Sequence, residues 1–126
     1  MFNDHSSPGF VNCRFEINTA NNNGGAIFND EGNLTVTDST FTGNTADYRG
    51  GGAYVYESTS DFTGCLFDDN SLTSTPQGAG ALHLQSGTNT VTDCTLVENT
   101  YHQITVYGVN SSVFISNCVI ADSPDG

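Results

Sequence analysis

The apolar residues of this chain alternate with polar ones in short runs. Leu34-Thr35-Val36-Thr37, Thr90-Val91-Thr92 and Cys13-Arg14-Phe15 all have this form. An alternation with period two, carried by β-branched and aromatic residues, predicts strands that bury one face. The segments between the runs are rich in Asn, Gly, Ser and Asp, which favour turns. The pattern therefore predicts an all-β protein built from short strands.

A four-residue phrase returns along the chain with a large apolar residue first and Asn last. It occurs at 15–18, 41–44, 67–70 and 96–99, at intervals of 26, 26 and 29 residues. A second, glycine-rich phrase occurs at 24–27, 51–54 and 79–82, at intervals of 27 and 28 residues, and Gln103 to Val106 stand in its place in the next copy. A fixed period in this range indicates stacked repeats, none of which can bury a core alone.

The repeat is too short for a pair of helices, and the frame of a leucine-rich repeat is missing. We therefore predict a right-handed parallel β-helix, because crossovers between parallel strands are nearly always right-handed. We expect one domain over 1–126 with about five coils, each adding ~4.8 Å. The repeats fall at about 10–35, 36–61, 62–90 and 91–114, with a partial copy at 115–126.

Aligning the copies predicts three columns of stacked interior residues. All four cysteines fall in one column with one serine, and two apolar columns flank it. The columns are Cys13, Ser39, Cys65, Cys94 and Cys118; Phe10, Val36, Phe62, Val91 and Ile115; and Phe15, Phe41, Phe67, Leu96 and Ile120.

The composition is strongly acidic, with 14 Asp and Glu residues against Arg14 and Arg49, no Lys, and a net charge of −12. Such a surface repels nucleic acid and anionic membranes, so we expect no nucleic-acid partner. We also expect no membrane insertion by this segment, because its apolar runs are short. The first residues lack the basic and apolar regions of a signal peptide.

The paired phrases resemble the repeats of chlamydial polymorphic membrane proteins. Gly24-Gly25-Ala26-Ile27 and Phe41-Thr42-Gly43-Asn44 carry this resemblance, which extends over about 10–122. It implies the pectate-lyase-like β-helix fold and a surface-displayed, adhesive passenger domain. We accordingly expect an extracellular or cell-surface location.

The repeated residue types have structural roles. The glycine pair permits positive φ and close contact with the next coil. The terminal Asn residues can form an amide ladder between coils. For the cysteines we expect reduced, buried thiols, with a disulfide between Cys65 and Cys94 or between Cys94 and Cys118 as the alternative.

Candidate site residues are few. Asp69 and Glu98 fall in one column of adjacent coils beside Asp68, so these carboxylates could hold Ca²⁺, or the pair could act as in a retaining glycosidase. No other cofactor is predicted. Tyr54, Tyr56 and Tyr107 could stack on a sugar, while we expect His83 and His102 to be surface or rim residues.

We expect a non-catalytic structural or interaction module, plausibly adhesin-like, whose ligand is an unidentified protein or carbohydrate. The alternative is a carbohydrate-active or carbohydrate-binding β-helix domain of the polysaccharide lyase or glycosidase type, which would need a groove lined by acidic, basic and aromatic residues. Because no capping element is evident at either end, we also expect a fragment of a longer solenoid or, failing that, end-to-end self-association.

Overall fold

A computed structural model describes residues 1–74 and 77–121. All strand pairs in this part are parallel, and each strand pairs with its equivalent one coil away. The strands form three sheets that surround a narrow interior, which amounts to about four full turns of a β-solenoid. The predicted all-β parallel solenoid is confirmed, and the predicted five coils are roughly consistent with it.

The first and largest sheet has eight strands in the order β1-β5-β9-β13-β10-β6-β2, with β15 paired to β13. In the first three coils two short strands with a bend between them form this side. In the last two coils one long strand spans both positions, with a register shift near Gly87. Its strands are β1 (Phe2–Asp4), β2 (Gly9–Val11), β5 (Ile27–Asp30), β6 (Leu34–Thr37), β9 (Ala53–Tyr56), β10 (Ser60–Thr63), β13 (Leu82–Thr92) and β15 (Ile104–Ser116).

The second and third sheets complete each coil. The second has the order β16-β14-β11-β7-β3 and contains β3 (Arg14–Glu16), β7 (Thr40–Thr42), β11 (Leu66–Asp68), β14 (Thr95–Val97) and β16 (Val119–Ile120). The third has the order β12-β8-β4 and contains β4 (Thr19–Ala20), β8 (Thr45–Ala46) and β12 (Ser71–Leu72). The third sheet thus spans only three coils in the described part of the chain.

The corners of the coil are columns of left-handed residues. At the corner between the first and second sheets, φ lies between 49° and 65° in every coil, at Asn12, Asp38, Gly64, Asp93 and Asn117. Asn, Asp and Gly tolerate this conformation best, which explains their abundance between the strands. Residues 1–9, expected to be a tail outside the repeats, instead include β1, whose Phe2 pairs with Phe28 of β5.

The interior columns have the predicted register. Phe15, Phe41 and Phe67 stack nearly parallel, with ring centroids 4.7 and 4.5 Å apart, and Leu96 continues the column. Phe41, Phe67 and Leu96 are fully buried, whereas Phe15 in the first coil is half-buried. Each buried side chain of this size contributes roughly 1.5–3 kcal/mol to folding. This stack is the centre of the hydrophobic core.

The predicted asparagine ladder connects four coils. Asn44 donates through Nδ2 to Asn70 Oδ1 at 2.9 Å, and Asn70 donates to Asn99 Oδ1 at 2.8 Å. The same oxygens accept a backbone N–H, at 3.0 Å from Asn44 and 2.8 Å from Asn70. Asn18 joins from the first coil at 2.9 Å. The ladder satisfies polar groups that are otherwise buried where the second sheet turns into the third.

The glycine-rich phrase lies one residue away from the predicted alignment. Ile27 pairs with Ala53, not with Tyr54, so the segment 24–27 matches 50–53 and the true intervals are 26 and 29. In the next coil Ile104 pairs with Leu82, so 101–104 take this position in place of Gln103 to Val106. A shift of one residue moves a side chain to the opposite face of a strand, so the correction changes which residues face outward.

The role of the first glycine pair is confirmed. Gly24 has φ +68°, and a Cβ at Gly25 would lie 2.2 Å from the backbone oxygen of Gly51 in the next coil. A larger residue at either position would strain the turn or push the coils apart.

The four cysteines form the predicted column as free thiols. Cys65 N–H donates to Cys94 Sγ, and Cys94 N–H to Cys118 Sγ, both at 3.4 Å. Cys65 and Cys94 are buried, whereas Cys13 and Cys118 are half-buried at the ends of the column. The hydrogen bond shared with Cys65, together with burial, raises the pKa of the Cys94 thiol.

We predict that Asn70→Ala destabilises the protein by about 3 kcal/mol or more, because it leaves the Asn44 N–H and the Phe41 carbonyl buried without their partner. Urea unfolding followed by circular dichroism measures this loss. Asn21→Ala, at an exposed position, is the control and should change stability by less than about 0.5 kcal/mol. Equal effects of the two changes would contradict a stabilising ladder.

We predict that denatured protein titrates four thiols without reductant. In the folded protein, Cys13 and Cys118 should react first, because Cys65 and Cys94 are buried and a thiolate is required for reaction. An Ellman titration with mass mapping of the labelled residues measures both quantities. Two or fewer thiols after denaturation would show that a disulfide forms instead.

Candidate functional site

The outer face of the first sheet carries two columns of large side chains. The inner column contains Phe2, Phe28, Tyr54, His83 and Thr105, and the outer column contains Asp4, Asp30, Tyr56, Gln85 and Tyr107. Both point away from the core, because the intervening residues such as Ile27 and Val55 fill the interior. An exterior face of this kind is normally solvated.

This face is nevertheless covered at its centre. His83 is only 1% exposed and Tyr54 4% exposed. The prediction that His83 is a surface residue is therefore wrong. The Tyr54 and His83 rings lie 5.3 Å apart, and the Tyr54 hydroxyl donates to Gln85 Oε1 at 2.8 Å. The column was expected to be open, so its burial requires a second layer of residues above it.

That layer comes from the turns that lead from the third sheet to the first. Asn22, Tyr48 with Arg49, and Gln77 occupy this turn in three successive coils and line a depression of about 340 Å³. Tyr48 N–H donates to the Asn22 carbonyl at 3.0 Å, which stacks the first two turns in register. We call this depression, together with the cavity described next, the Arg49 cleft.

A smaller cavity of about 120 Å³ lies beneath, lined by Arg49, Gln77, His83 and Tyr107. Arg49 and Gln77 belong to both volumes, so the cavity and the depression are neighbours. Tyr107 is 61% exposed and contributes an aromatic ring at the rim. The cleft thus combines one cation, two tyrosines, two amide side chains and a buried imidazole.

Electrostatics keep the buried imidazole neutral. Burial, followed by the positive charge of Arg49, lowers the pKa of His83 from 6.5 to about 4. Burial also raises the pKa of Tyr54. Arg49 makes no salt bridge with a carboxylate in residues 1–74 and 77–121, whereas Arg14 pairs with Glu16. At neutral pH the cleft therefore carries one positive charge without a counter-ion among these residues.

The predicted acidic candidates lie outside this cleft. Asp69 and Glu98 occupy equivalent positions of adjacent coils, both exposed and both with positive φ, at the corner after the second sheet. Asp68 precedes this corner in β11. Within the described ranges, no group of three or more His, Cys, Asp or Glu side chains is arranged to hold a metal ion.

The three predicted tyrosines lie on the face that the cleft occupies, in different environments. Tyr107 lines the inner cavity, Tyr56 is half-exposed two residues beyond Tyr54, and Tyr54 is buried. Tyr54 therefore has no open ring for a ligand to stack on. Of the three, Tyr107 presents the largest accessible aromatic surface at the cleft.

Sequence reasoning missed Arg49, His83, Gln77, Asn22 and Tyr48 as site residues. One signal was present, since the interval from Asn70 to Leu82 exceeds the corresponding interval from Asn44 to Ala53 by three residues. Gln77 belongs to this longer connection. An insertion in one coil of a regular solenoid marks a loop, and loops carry function more often than the repeated strands.

The fold agrees with the comparison to known families. The model of the right-handed β-helix region matches residues 1–120, so this chain belongs to that family. Comparison with curated proteins and with solved structures gives no significant match. None of the helices in the described part could cross a membrane, because none is both long and apolar enough.

We predict that acid destabilises this protein partly through His83. The unfolded state binds a proton below about pH 6.5 and the folded state only below about pH 4, so the stabilising difference is complete above pH 6.5 and is lost as pH falls towards 4. At pH 5 the loss is about 2 kcal/mol by linkage. Unfolding by urea at pH 7.5 and 5.0 should show a drop for the native chain that exceeds that of His83→Gln by this amount. Equal drops would place the pKa of His83 near its ordinary value.

Proposed function

We propose that this chain is a non-catalytic interaction module of a secreted or cell-surface protein, adhesin-like in role, that binds a carbohydrate ligand in the Arg49 cleft. The family supports a structural or interaction module of this kind. Support for the location comes from the lack of Lys, from the Asn- and Thr-rich surface, and from the resemblance of the repeats to those of chlamydial polymorphic membrane proteins.

The observation that carries this proposal is the composition of the cleft. Asn22 and Gln77 offer amide groups that match sugar hydroxyls, and Tyr48 and Tyr107 offer rings that can lie against a sugar face. Sites for small ligands combine such apolar surfaces with a few placed polar groups. The depression of about 340 Å³ has room for one or two sugar residues.

Binding is favoured over turnover by the placement of the carboxylates. The described residues that line the cleft include no Asp or Glu, while Asp69 and Glu98 lie at a different corner of the coil. Glycoside hydrolysis usually requires two carboxylates that flank the bond. The carbohydrate-active alternative would therefore need a site away from this cleft.

A glycan array probed with the purified chain tests the proposal, followed by calorimetry with the strongest ligand. We expect Arg49→Gln to weaken binding roughly tenfold, as loss of a charged hydrogen bond does. Tyr107→Ala should also weaken it, because it removes the ring at the rim. The matched controls are Arg14→Gln, with the same change of charge, and Phe114→Ala, which removes an exposed ring from the same strand.

The outcomes separate the two functions. Binding that is unaffected by both cleft variants, or no binding to any glycan, would contradict the proposal. Release of new reducing or unsaturated ends that stops in Asp69→Asn or Glu98→Gln would show that the chain is an enzyme.

A further inference from the structure

His83 has no hydrogen-bond partner for either ring nitrogen within the described part of the chain, although both nitrogens are buried. Thr105 is its neighbour in the same column, and Thr105 Oγ1 is also buried without a partner there. Buried polar atoms without partners are rare, and each costs about 1–3 kcal/mol. Two adjacent examples next to a cavity indicate that the native partner is a bound group.

The cavity has the charge and the size for a particular group. Arg49 contributes a cation without a salt bridge in the described ranges, and it lines the same 120 Å³ as His83. One water molecule occupies about 30 Å³ in the liquid, so a group the size of a carboxylate or a sulfate fits with room for a water. A guanidinium binds both oxyanions through paired N–H donors.

The imidazole complements this arrangement. A neutral His offers one N–H donor and one acceptor nitrogen, so it can donate to an oxyanion and accept from an adjacent hydroxyl. The net charge of −12 makes an unpaired buried-side cation unusual on this protein. An anionic group in the cavity would give Arg49 its missing counter-ion.

We propose that the cavity lined by Arg49, Gln77, His83 and Tyr107 is an oxyanion subsite that accepts a carboxylate or sulfate group carried by the ligand. This inference rests on the proposed function, since it names the charged group of the carbohydrate that the cleft would hold. It also makes a separate claim, because neutral sugars lack the group that the subsite recognises.

Proton NMR of the histidine rings tests this subsite directly. The three histidines give separate ring signals, His83→Gln assigns the buried one, and the exposed His102 is an internal control. The probes are sodium glucuronate, its neutral methyl ester, glucose 6-sulfate, glucose, and free acetate and sulfate, all at pH 7 and constant ionic strength. The native chain is compared with Arg49→Gln and with Arg14→Gln.

We expect glucuronate or glucose 6-sulfate to shift the His83 signal in a saturable way, with at least tenfold higher affinity than the matching neutral sugar. Arg49→Gln should remove this preference and Arg14→Gln should keep it. The sugar that binds more tightly identifies a carboxylate or a sulfate ester as the natural group.

The remaining outcomes separate this inference from the proposed function. Equal binding of glucuronate and its ester, with Arg49 dispensable, would overturn the oxyanion subsite and leave carbohydrate binding standing. Shifts with free acetate or sulfate but with no sugar would support the subsite and overturn carbohydrate binding. No shift with any probe would overturn the subsite.

Discussion

The stacking of each coil on the next in fixed register is the constraint on which the rest of this structure depends. Parallel hydrogen bonds hold neighbouring coils together, so every side chain lies directly on its equivalent 26 or 29 residues away. Only residue types that stack favourably on themselves can occupy the interior for several coils. Flat aromatic rings satisfy this condition through offset stacking, and asparagine satisfies it because its amide can donate to the coil on one side and accept from the other. The Phe41 and Asn70 columns are therefore consequences of one geometric rule.

The Arg49 cleft arises where that regularity is broken. The third sheet ends with β12, and the connection that follows in this coil is three residues longer than in the coil before it. This longer connection brings Gln77 to the outer face of the first sheet beside Arg49. Gly78 lies on Arg49 in the next coil, and a Cβ there would lie 2.5 Å from the Tyr48 carbonyl oxygen, so the close contact requires glycine. A strictly repeating coil would leave this face flat and solvated, without a concave site.

The interior could be predicted from the sequence and the cleft could not, for a physical reason. Alternation and period determine which side chains face inward, so the Cys94 and Phe67 columns followed from the pattern alone. The glycine-rich phrase was misaligned by one residue because three consecutive glycines, 50–52, allow two alignments by eye, and the hydrogen bonds choose one. The burial of His83 depends on residues from three turns that do not repeat, and no periodic signal reports how such turns fold over a sheet.

The identity of residue 83 argues that the cleft is more than a packing defect. Its column neighbours Phe28 and Tyr54 show that large rings stack well at this position, with centroids 4.9 Å apart. A phenylalanine at 83 would continue that stack and leave no polar nitrogen buried. Histidine gives up this stability, since its ring is kept neutral by burial and by Arg49 while both nitrogens lie without partners in the described part of the chain. Buried polar groups of this kind are stable only when something completes their hydrogen bonds, and the cavity beside His83 is where such a partner can lie.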